Sequence, residues 1–313
     1  MTTASSAARP FLKWAGGKRQ LLPQLRRFYP QRFGAYHEPF LGSGAVFFDL
    51  VSVGRLRRGA ASLTDVNADL AGCWLRLRDD PDAVIAELRQ LDAGYREAPD
   101  THYYRVRDEL FNPGRAAVWN GGAPAAEHYT PALAAMFIYL NRTGFNGLFR
   151  LNSKGKFNVP RGRYPNPRIC DEVNLRRVAD ALSAAAARVA HRPYAAVFED
   201  AHSGDFIYLA PPYAPLSATA RFTGYTPGGF GSGDQQRLQQ VVVALAARGC
   251  HVLLSNSTAP EIAALYDGSA EAVRVGIRAY TVPARRAINS NAGRRGAVPE
   301  YIITNIPARA GCP

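Results

Sequence analysis

Short apolar runs that each stop at a glycine, an acid or a proline set the strongest limit on what this chain can fold into. Ala35 to Phe40 reads as a strand and runs into Gly42-Ser43-Gly44. A helix follows, with Val46, Phe47, Leu50 and Val51 on one face and Gly54 near its end. Ala60 to Thr64 reads as a second strand, closed by Asp65. Phe206 to Leu209 is a short apolar run, as expected of a buried strand, and Ala210-Pro211-Pro212 comes directly after it. Asp234 to Arg248 predicts a helix stopped by Gly249, and His251 to Leu254 predicts another buried strand, ending in Ser255-Asn256. Strands alternating with helices imply an α/β fold with a parallel sheet.

The stretch from Cys73 to Leu175 breaks this rhythm. Pro81 to Leu91 and Pro131 to Leu140 read as helices, and Asn141 to Arg163 is rich in Gly, Asn and basic residues. Within it, Phe149 to Asn152, Ser153 to Lys156 and Phe157 to Pro160 read as strand, turn and strand. The block is taken as an insertion, so the expected organisation is one domain from residues 1–72 and 176–313 and a second from 73–175. The Ala-rich run Ala181 to Ala190 reads as a helix, and no internal repeat is visible.

Net charge is +13 over 313 residues, and its placement says more than its total. Residues 141–170 hold Arg142, Arg150, Lys154, Lys156, Arg161, Arg163 and Arg168 without an acid. Residues 272–299 hold Arg274, Arg278, Arg285, Arg286, Arg294 and Arg295, again without one. Such blocks read either as a polyanion footprint, because each neutralised phosphate releases counterions, or as a solvated basic surface. The cysteines Cys73, Cys170, Cys250 and Cys312 are far apart and form no metal-binding or disulfide pattern, so no metal is expected. No apolar run approaches the roughly 20 residues of a membrane helix, and Met1 to Ala8 does not read as a signal peptide. A cytoplasmic protein with no membrane partner is expected.

Three motifs carry chemistry. Glu38-Pro39-Phe40-Leu41-Gly42-Ser43-Gly44 ends a strand with glycines, which allow a tight turn and close approach to a ligand. Asp65, at the next strand end, is placed to accept the ribose hydroxyls of a bound nucleoside; a plain turn would explain the glycines alone equally well. Lys13-Trp14-Ala15-Gly16-Gly17-Lys18 lacks the spacing of a phosphate loop, which disfavours a nucleotide triphosphatase. Third is Ala210-Pro211-Pro212-Tyr213, which in isolation would be a proline turn.

Taken in order, KWAGGK, EPFLGSG, LTDVN, NRTGFNGLFRLNSKGKFNVPRGRY and PPYAPLSATARFTGY resemble the Dam family, the alpha group of site-specific DNA adenine-N6 methyltransferases. The terminal PARRAINSNAGRRGAVPEYIITN resembles that family's closing hairpin, so the likeness runs from Phe11 to about Asn305. It implies a Rossmann-like methyltransferase fold with a mostly helical target-recognition insertion carrying a β-hairpin. It implies S-adenosylmethionine as methyl donor, S-adenosylhomocysteine as product, and binding of sinefungin-like analogues. Trp14 and Lys18 would line the donor pocket, Phe40, Gly42 and Gly44 the turn beneath it, Asp65 the ribose and Asp200 the adenine. For Trp14 and Phe40, core packing is the competing explanation.

The resemblance makes double-stranded DNA the partner of a monomer or homodimer associated with the bacterial nucleoid. Phe145 would enter the base stack, and Arg150 would read a guanine edge with two hydrogen bonds. Pro160 would face bases, and Lys13 would touch DNA near the target. Lys154, Lys156, Arg161 and Arg163 would hold phosphates and set register. Asn141 and Asn146 suit either recognition or a structural turn. Tyr213 would stack on the flipped adenine, and a loop over residues 214–233 with Arg221, Phe222 and Tyr225 would close over it.

One position departs. Amino-methyltransferases of this kind read Asp, Asn or Ser before Pro-Pro-aromatic, and here Ala210 stands in that place. An exocyclic amine is a poor nucleophile, because its lone pair conjugates with the ring. The side-chain oxygen and the first proline's carbonyl each accept one N–H, which draws the nitrogen toward a tetrahedral form, and the two prolines stiffen the acceptors. Alanine removes one acceptor, so the chain is expected to bind donor and DNA but barely methylate. The intact flanking motifs favour an engineered replacement over a natural homologue that has lost activity. A non-catalytic DNA-binding regulator on the same fold is the alternative, and the hairpin and the FNGLFR stretch argue against cytosine-N4 or RNA methylation.

Overall fold

The computed structural model describes residues 7–56, 58–215, 229–285 and 297–309. Arg221, Phe222 and Tyr225, expected in the closing loop, lie outside these residues, as do Arg286, Arg294 and Arg295 of the second basic block.

In chain order the first helix is α1 Leu22–Leu25, followed by β1 Tyr36–Glu38, α2 Ala45–Ser52 and β2 Ala61–Asp65. A helical stretch follows: α3 Ala68–Asp79, α4 Pro81–Glu97, α5 Pro99–Arg105, a π-helical turn Val106–Phe111, α6 Asn112–Trp119 and α7 Pro131–Thr143. Then come α8 Glu172–Ala184, β3 Arg188–His191, α9 Val197–Asp200 and β4 Phe206–Leu209. The chain continues through α10 Ser232–Ala247, β5 His251–Ser257, α11 Pro260–Tyr266, α12 Ala270–Arg274, β6 Arg278–Arg285 and β7 Ala297–Thr304. Seven strands among these helices make the fold mixed α/β, the class expected from the alternation.

The chain divides into two compact units: Met1–Gly17 with Gly42–Arg192, and Lys18–Leu41 with Pro193–Pro313. In the first, β2 and β3 pair in parallel, with Ser62 opposite Arg188 and Asp65 opposite His191. Three of its helices begin where a side chain satisfies an exposed amide: Asn67 caps α3 through the Leu70 amide, Asp80 caps α4 through Ala83, and Thr130 caps α7 through Leu133. Trp74 of α3 is fully buried, with Phe11 edge-on at 4.9 Å and Phe48 stacked at 5.6 Å. Gly72 lets α3 meet the Tyr129 ring so closely that a Cβ would fall 2.5 Å from it. Residues 73–175, the expected recognition block, lie within this unit.

One expectation fails here. The helix expected over Ala181 to Ala190 ends at Ala184, Ala186 takes a left-handed φ of 44°, and the chain resumes as β3. Alanine's helix preference is worth only tenths of a kcal/mol per residue, and pairing with β2 that buries Val189 overrides it. The expected strand, turn and strand over residues 149–160 is reduced to one antiparallel bridge, Leu151 to Phe157, around a turn closed by Asn152 N–H to the Lys156 carbonyl at 2.9 Å.

The second unit carries the strand order β1-β4-β5-β7-β6. β1, β4 and β5 run parallel, and β7 and β6 add an antiparallel closing pair, as the terminal stretch suggested. All four residues of β4 are buried. On one side Leu238, Val242 and Leu245 of α10 pack with Ile207, Leu209, Val252 and Ile262. On the other, Phe206 meets Tyr29, Phe33 and Tyr36 at ring distances of 5.4–5.8 Å. Strands covered on both faces read as continuous apolar runs, which is why β4 was found to the residue.

Candidate active site

The glycine turn and Asp65 form one set of contacts. Gly42 and Gly44 take φ of 48° and 63°, left-handed values that L side chains rarely adopt. A Cβ on Gly42 would also meet the Trp14 ring at 2.8 Å. The Gly42 amide donates to Asp65 Oδ2 at 3.1 Å, and the Asn67 amide donates to Oδ1 at 2.9 Å. The Gly42 carbonyl accepts from the Trp74 indole at 3.3 Å. Burial pushes the Asp65 carboxyl up to about 6, against the pull of these amides. Trp14 stacks at 6.3 Å on both Phe137 and Phe149, so its packing role is real.

The motif after β4 lies in the second unit. Ala210 and Tyr213 are half-buried and Pro211 is buried. The Tyr213 hydroxyl donates to Glu300 Oε2 at 2.8 Å, and the Lys18 ammonium sits 4.2 Å from the centre of its ring. Burial lowers Lys18 to about 8, with Glu300 pulling the other way. Gln235 donates to the Pro212 carbonyl at 3.0 Å and accepts from Asn256 at 3.0 Å. Asn256 Oδ1 accepts the Ala214 amide at 3.2 Å, and the Ser257 hydroxyl donates to the Ala214 carbonyl at 2.7 Å. Among the described residues no hydrogen bond reaches the Pro211 carbonyl. Phe40 stacks on Tyr194 at 5.2 Å with Phe230 edge-on at 6.0 Å, an aromatic group against the core. Asp200 ends the short α9.

The recognition candidates share the first unit with the glycine turn. Phe145 is 49% exposed, in a turn fixed by its own amide to the Pro160 carbonyl at 2.9 Å. Asn146 has φ 54°, and its amide donates to the Tyr164 hydroxyl at 3.0 Å. Asn141 is buried and grips Lys13 on both sides, accepting its amide at 2.8 Å and donating to its carbonyl at 2.7 Å. The Lys13 ammonium lies 3.8 Å over the Tyr164 ring. Arg150 is exposed and braced by Asn158 Oδ1 at 2.8 Å. Pro160, Lys154, Lys156 and Arg163 are exposed. Arg161 is committed within the chain, to Asp100 at 2.6 Å and the Tyr95 hydroxyl at 3.2 Å, so any phosphate would have to share it.

Comparison with known proteins gives the family. The family model of the D12 class N6 adenine-specific DNA methyltransferases matches residues 14–282. The chain belongs to this family. Among curated relatives, the Type II methyltransferase M1.LlaDCHI of Lactococcus lactis is 34% identical over 95% of each chain. The Type II methyltransferase M.MjaIII of Methanocaldococcus jannaschii is 36% identical over 95% of this chain and 99% of its own. The DNA adenine methylase of Escherichia coli K12 is 34% identical over 96% of each. The enzyme class is therefore DNA adenine-N6 methyltransferase, and Ala210 follows β4 of a D12-class chain.

Gln235, Asn256, Ser257 and Glu300, which fix the methyltransferase's Pro-Pro-Tyr turn, were not found from sequence. The only available signal was a polar Ser-Asn-Ser ending an otherwise apolar strand. Among the described residues no group of three or more His, Cys, Asp or Glu side chains is arranged to hold a metal ion, and no helix is long and apolar enough to cross a membrane.

Proposed function

We propose that this chain binds S-adenosylmethionine and duplex DNA, takes a target adenine out of the stack onto Tyr213, and methylates its N6 at a rate limited by Ala210. The observation that carries this is the polar bracing of the turn after β4, intact around an alanine. When bound, the donor supplies a methyl group on a sulfonium, which an amine nitrogen attacks.

The residues suit that donor. The Asp65 carboxylate has about four acceptor positions, and the amides of Gly42, Asn67 and Val66 bond to it. That leaves acceptor capacity for ribose hydroxyls, beside the Gly42 turn and the Trp14 ring that lies against it. In the second unit, the Pro211 carbonyl accepts one N–H of the adenine amine. Tyr213 offers its ring as a stacking surface, with its hydroxyl held by Glu300 and one face covered by Lys18. Ala210 supplies no acceptor for the second N–H, so the amine keeps more of its conjugation with the ring.

For recognition, Phe145 enters the base stack, Arg150 and Pro160 read base edges, Lys13 touches DNA near the target, and Lys154, Lys156 and Arg163 hold phosphates. The test uses two measurements. Titration of the chain with sinefungin should give saturable binding, and a chain that binds no such nucleoside ends the proposal. Cells expressing Ala210→Asp should show modified adenines at one short sequence in long-read data, with far fewer for the unaltered chain. Donor and DNA binding without modified adenines even in Ala210→Asp would favour a non-catalytic DNA-binding protein on this fold.

A further inference from the structure

A buried ion pair beneath the recognition hairpin has no part in the chemistry proposed above. Arg115 of α6 is 5% exposed and Asp69 of α3 is 3% exposed. Their contact is two-pronged, Nε to Oδ1 at 2.6 Å and Nη2 to Oδ2 at 2.8 Å, and the Tyr129 hydroxyl donates to the same Oδ1 at 3.2 Å. The third arm of the guanidinium points elsewhere. Arg115 Nη1 donates to the carbonyl of Gly155, at the tip of the hairpin turn, at 2.8 Å. Three residues before Arg115, Asn112 binds the hairpin's returning strand from both sides: its amide donates to the Phe157 carbonyl at 3.0 Å and its oxygen accepts the Phe157 amide at 2.8 Å.

Stability alone gives little reason for such a pair. Two charges taken out of water recover their desolvation only with good geometry, and well-packed apolar replacements are often neutral or stabilising. What an apolar pair could not do is hold the Gly155 carbonyl in one place. The hairpin gains from such a hold, because its own ladder is short: the Leu151 to Phe157 bridge, flanked by the Asn152 amide to the Lys156 carbonyl at 2.9 Å and the Asn158 amide to the Arg150 carbonyl at 3.2 Å. Arg150 and Pro160 flank that bridge, and their reach to a base edge depends on where the turn sits. A planar, always-charged fork that binds Asp69 with two arms and Gly155 with another fixes this position, where a lysine's single ammonium would not.

We infer that Arg115, oriented by Asp69 and seconded by Asn112, is a positioning residue for sequence specificity: it holds the hairpin in the register from which Arg150 discriminates between bases. This rests on the reading of the hairpin as the base reader.

The test needs no catalysis. The full chain, with sinefungin present, is used to select from a pool of randomised DNA duplexes, and the retained duplexes are sequenced. The unaltered chain should enrich one short motif. Asp69→Asn combined with Arg115→Met keeps bulk and removes both charges. It should lower the preference at the position read by Arg150 tenfold or more, while sinefungin affinity stays within twofold. Arg115→Lys should broaden the motif similarly, since charge without the fork does not restore the contact.

An unchanged motif in the double variant overturns the inference, as does an equal loss of sinefungin affinity, which would mark a general structural role. Should the double variant not fold, Asn112→Ser releases Phe157 without touching the ion pair; a broadened motif supports the inference and an unchanged one overturns it. Arg150→Ala separates the two layers of the argument. If it leaves the motif intact, or if the unaltered chain enriches none, the reading of the hairpin has failed, and the role of Arg115 falls with it.

Discussion

Two strand ends of this molecule carry the residues on which the proposed chemistry turns, Asp65 at the end of β2 and Ala210 just after β4, and they treat those residues in opposite ways. β2 ends in Asp65, whose carboxylate accepts the amides of Gly42 and Asn67; Asn67 in turn caps α3. There the functional group is also the peg that holds the turn. β4 is followed by Ala210, and the turn after it is held by Gln235, Asn256 and Ser257, all from other elements. At the first strand end, structure and chemistry share one side chain. At the second they are separate, so chemistry can be removed there without loss of shape.

The largest effect that contrast predicts is at position 210. Ala210→Asp and Ala210→Asn both restore a side-chain oxygen and should raise single-turnover methylation about a hundred- to thousandfold, the usual worth of one oriented polar group at a reacting centre. Thermal stability should change by no more than about 0.5 kcal/mol, because nothing else leans on that side chain. Labelled-methyl transfer to DNA and a melting curve measure the two quantities. A large gain in stability without a gain in rate would break the contrast, because it would make position 210 structural.

Next in size is Asp65→Ala. Losing a charged acceptor costs about 1.5–3 kcal/mol per hydrogen bond, so donor affinity should fall roughly tenfold to a hundredfold. Unlike Ala210→Asp, it should also lower the melting temperature, since the backbone amides of Gly42, Asn67 and Val66 lose their acceptor. Calorimetric titration with sinefungin gives the affinity; a value within twofold of the unaltered chain's would mean that Asp65 is only a peg.

The two strand ends were also unequally legible. Asp65 could be found from sequence because an acid closing a strand beside Gly-Ser-Gly is a local pattern. The turn, the acid and β4 all lie within a few residues of where the sequence placed them. The bracing of the Pro-Pro-Tyr turn could not be found, because Gln235 lies 23 residues and Asn256 42 residues beyond their bonded partners, and only the fold brings them together. The same reason hides Asp69 and Arg115, 46 residues apart. The end of α8 was misplaced for a different reason: an alanine run carries a local helix signal, while the strand pairing of Val189 with β2 is a distant one. The tie of Arg161 to Asp100 was hidden likewise, because the two are 61 residues apart.

A third, smaller effect follows from pH. With its carboxyl raised to about 6 by burial, Asp65 is protonated over part of the mildly acidic range. The ionised form is the one that accepts ribose hydroxyls. Donor affinity should therefore be at its plateau above about pH 7 and fall as pH drops through 6, reaching about tenfold weaker binding near pH 5. Raising the pH above 6 restores the ionised form, and the upward shift is what brings this change into the mildly acidic range. Asp65→Asn should flatten this limb, and a limb that persists in that variant would assign the titration to another group.

The smallest effect probes the bracing itself. Gln235 is 1% exposed and links the Pro212 carbonyl to Asn256. Gln235→Leu leaves both partners short of a hydrogen bond, at a stability cost of about 1–3 kcal/mol, spread over the turn and the α10 and β5 residues that hold it. Only part of that reaches the reacting amine. In an Ala210→Asp background, single-turnover rate should fall about threefold to fivefold while sinefungin affinity is unchanged, because the donor's ribose contact depends on Asp65 rather than on this turn. A rate loss as large as that of removing the restored aspartate would mean that the bracing and the acceptor act as one unit. A rate equal to that of the Ala210→Asp parent would mean that the proline pair is stiff enough to hold its carbonyls without help from α10.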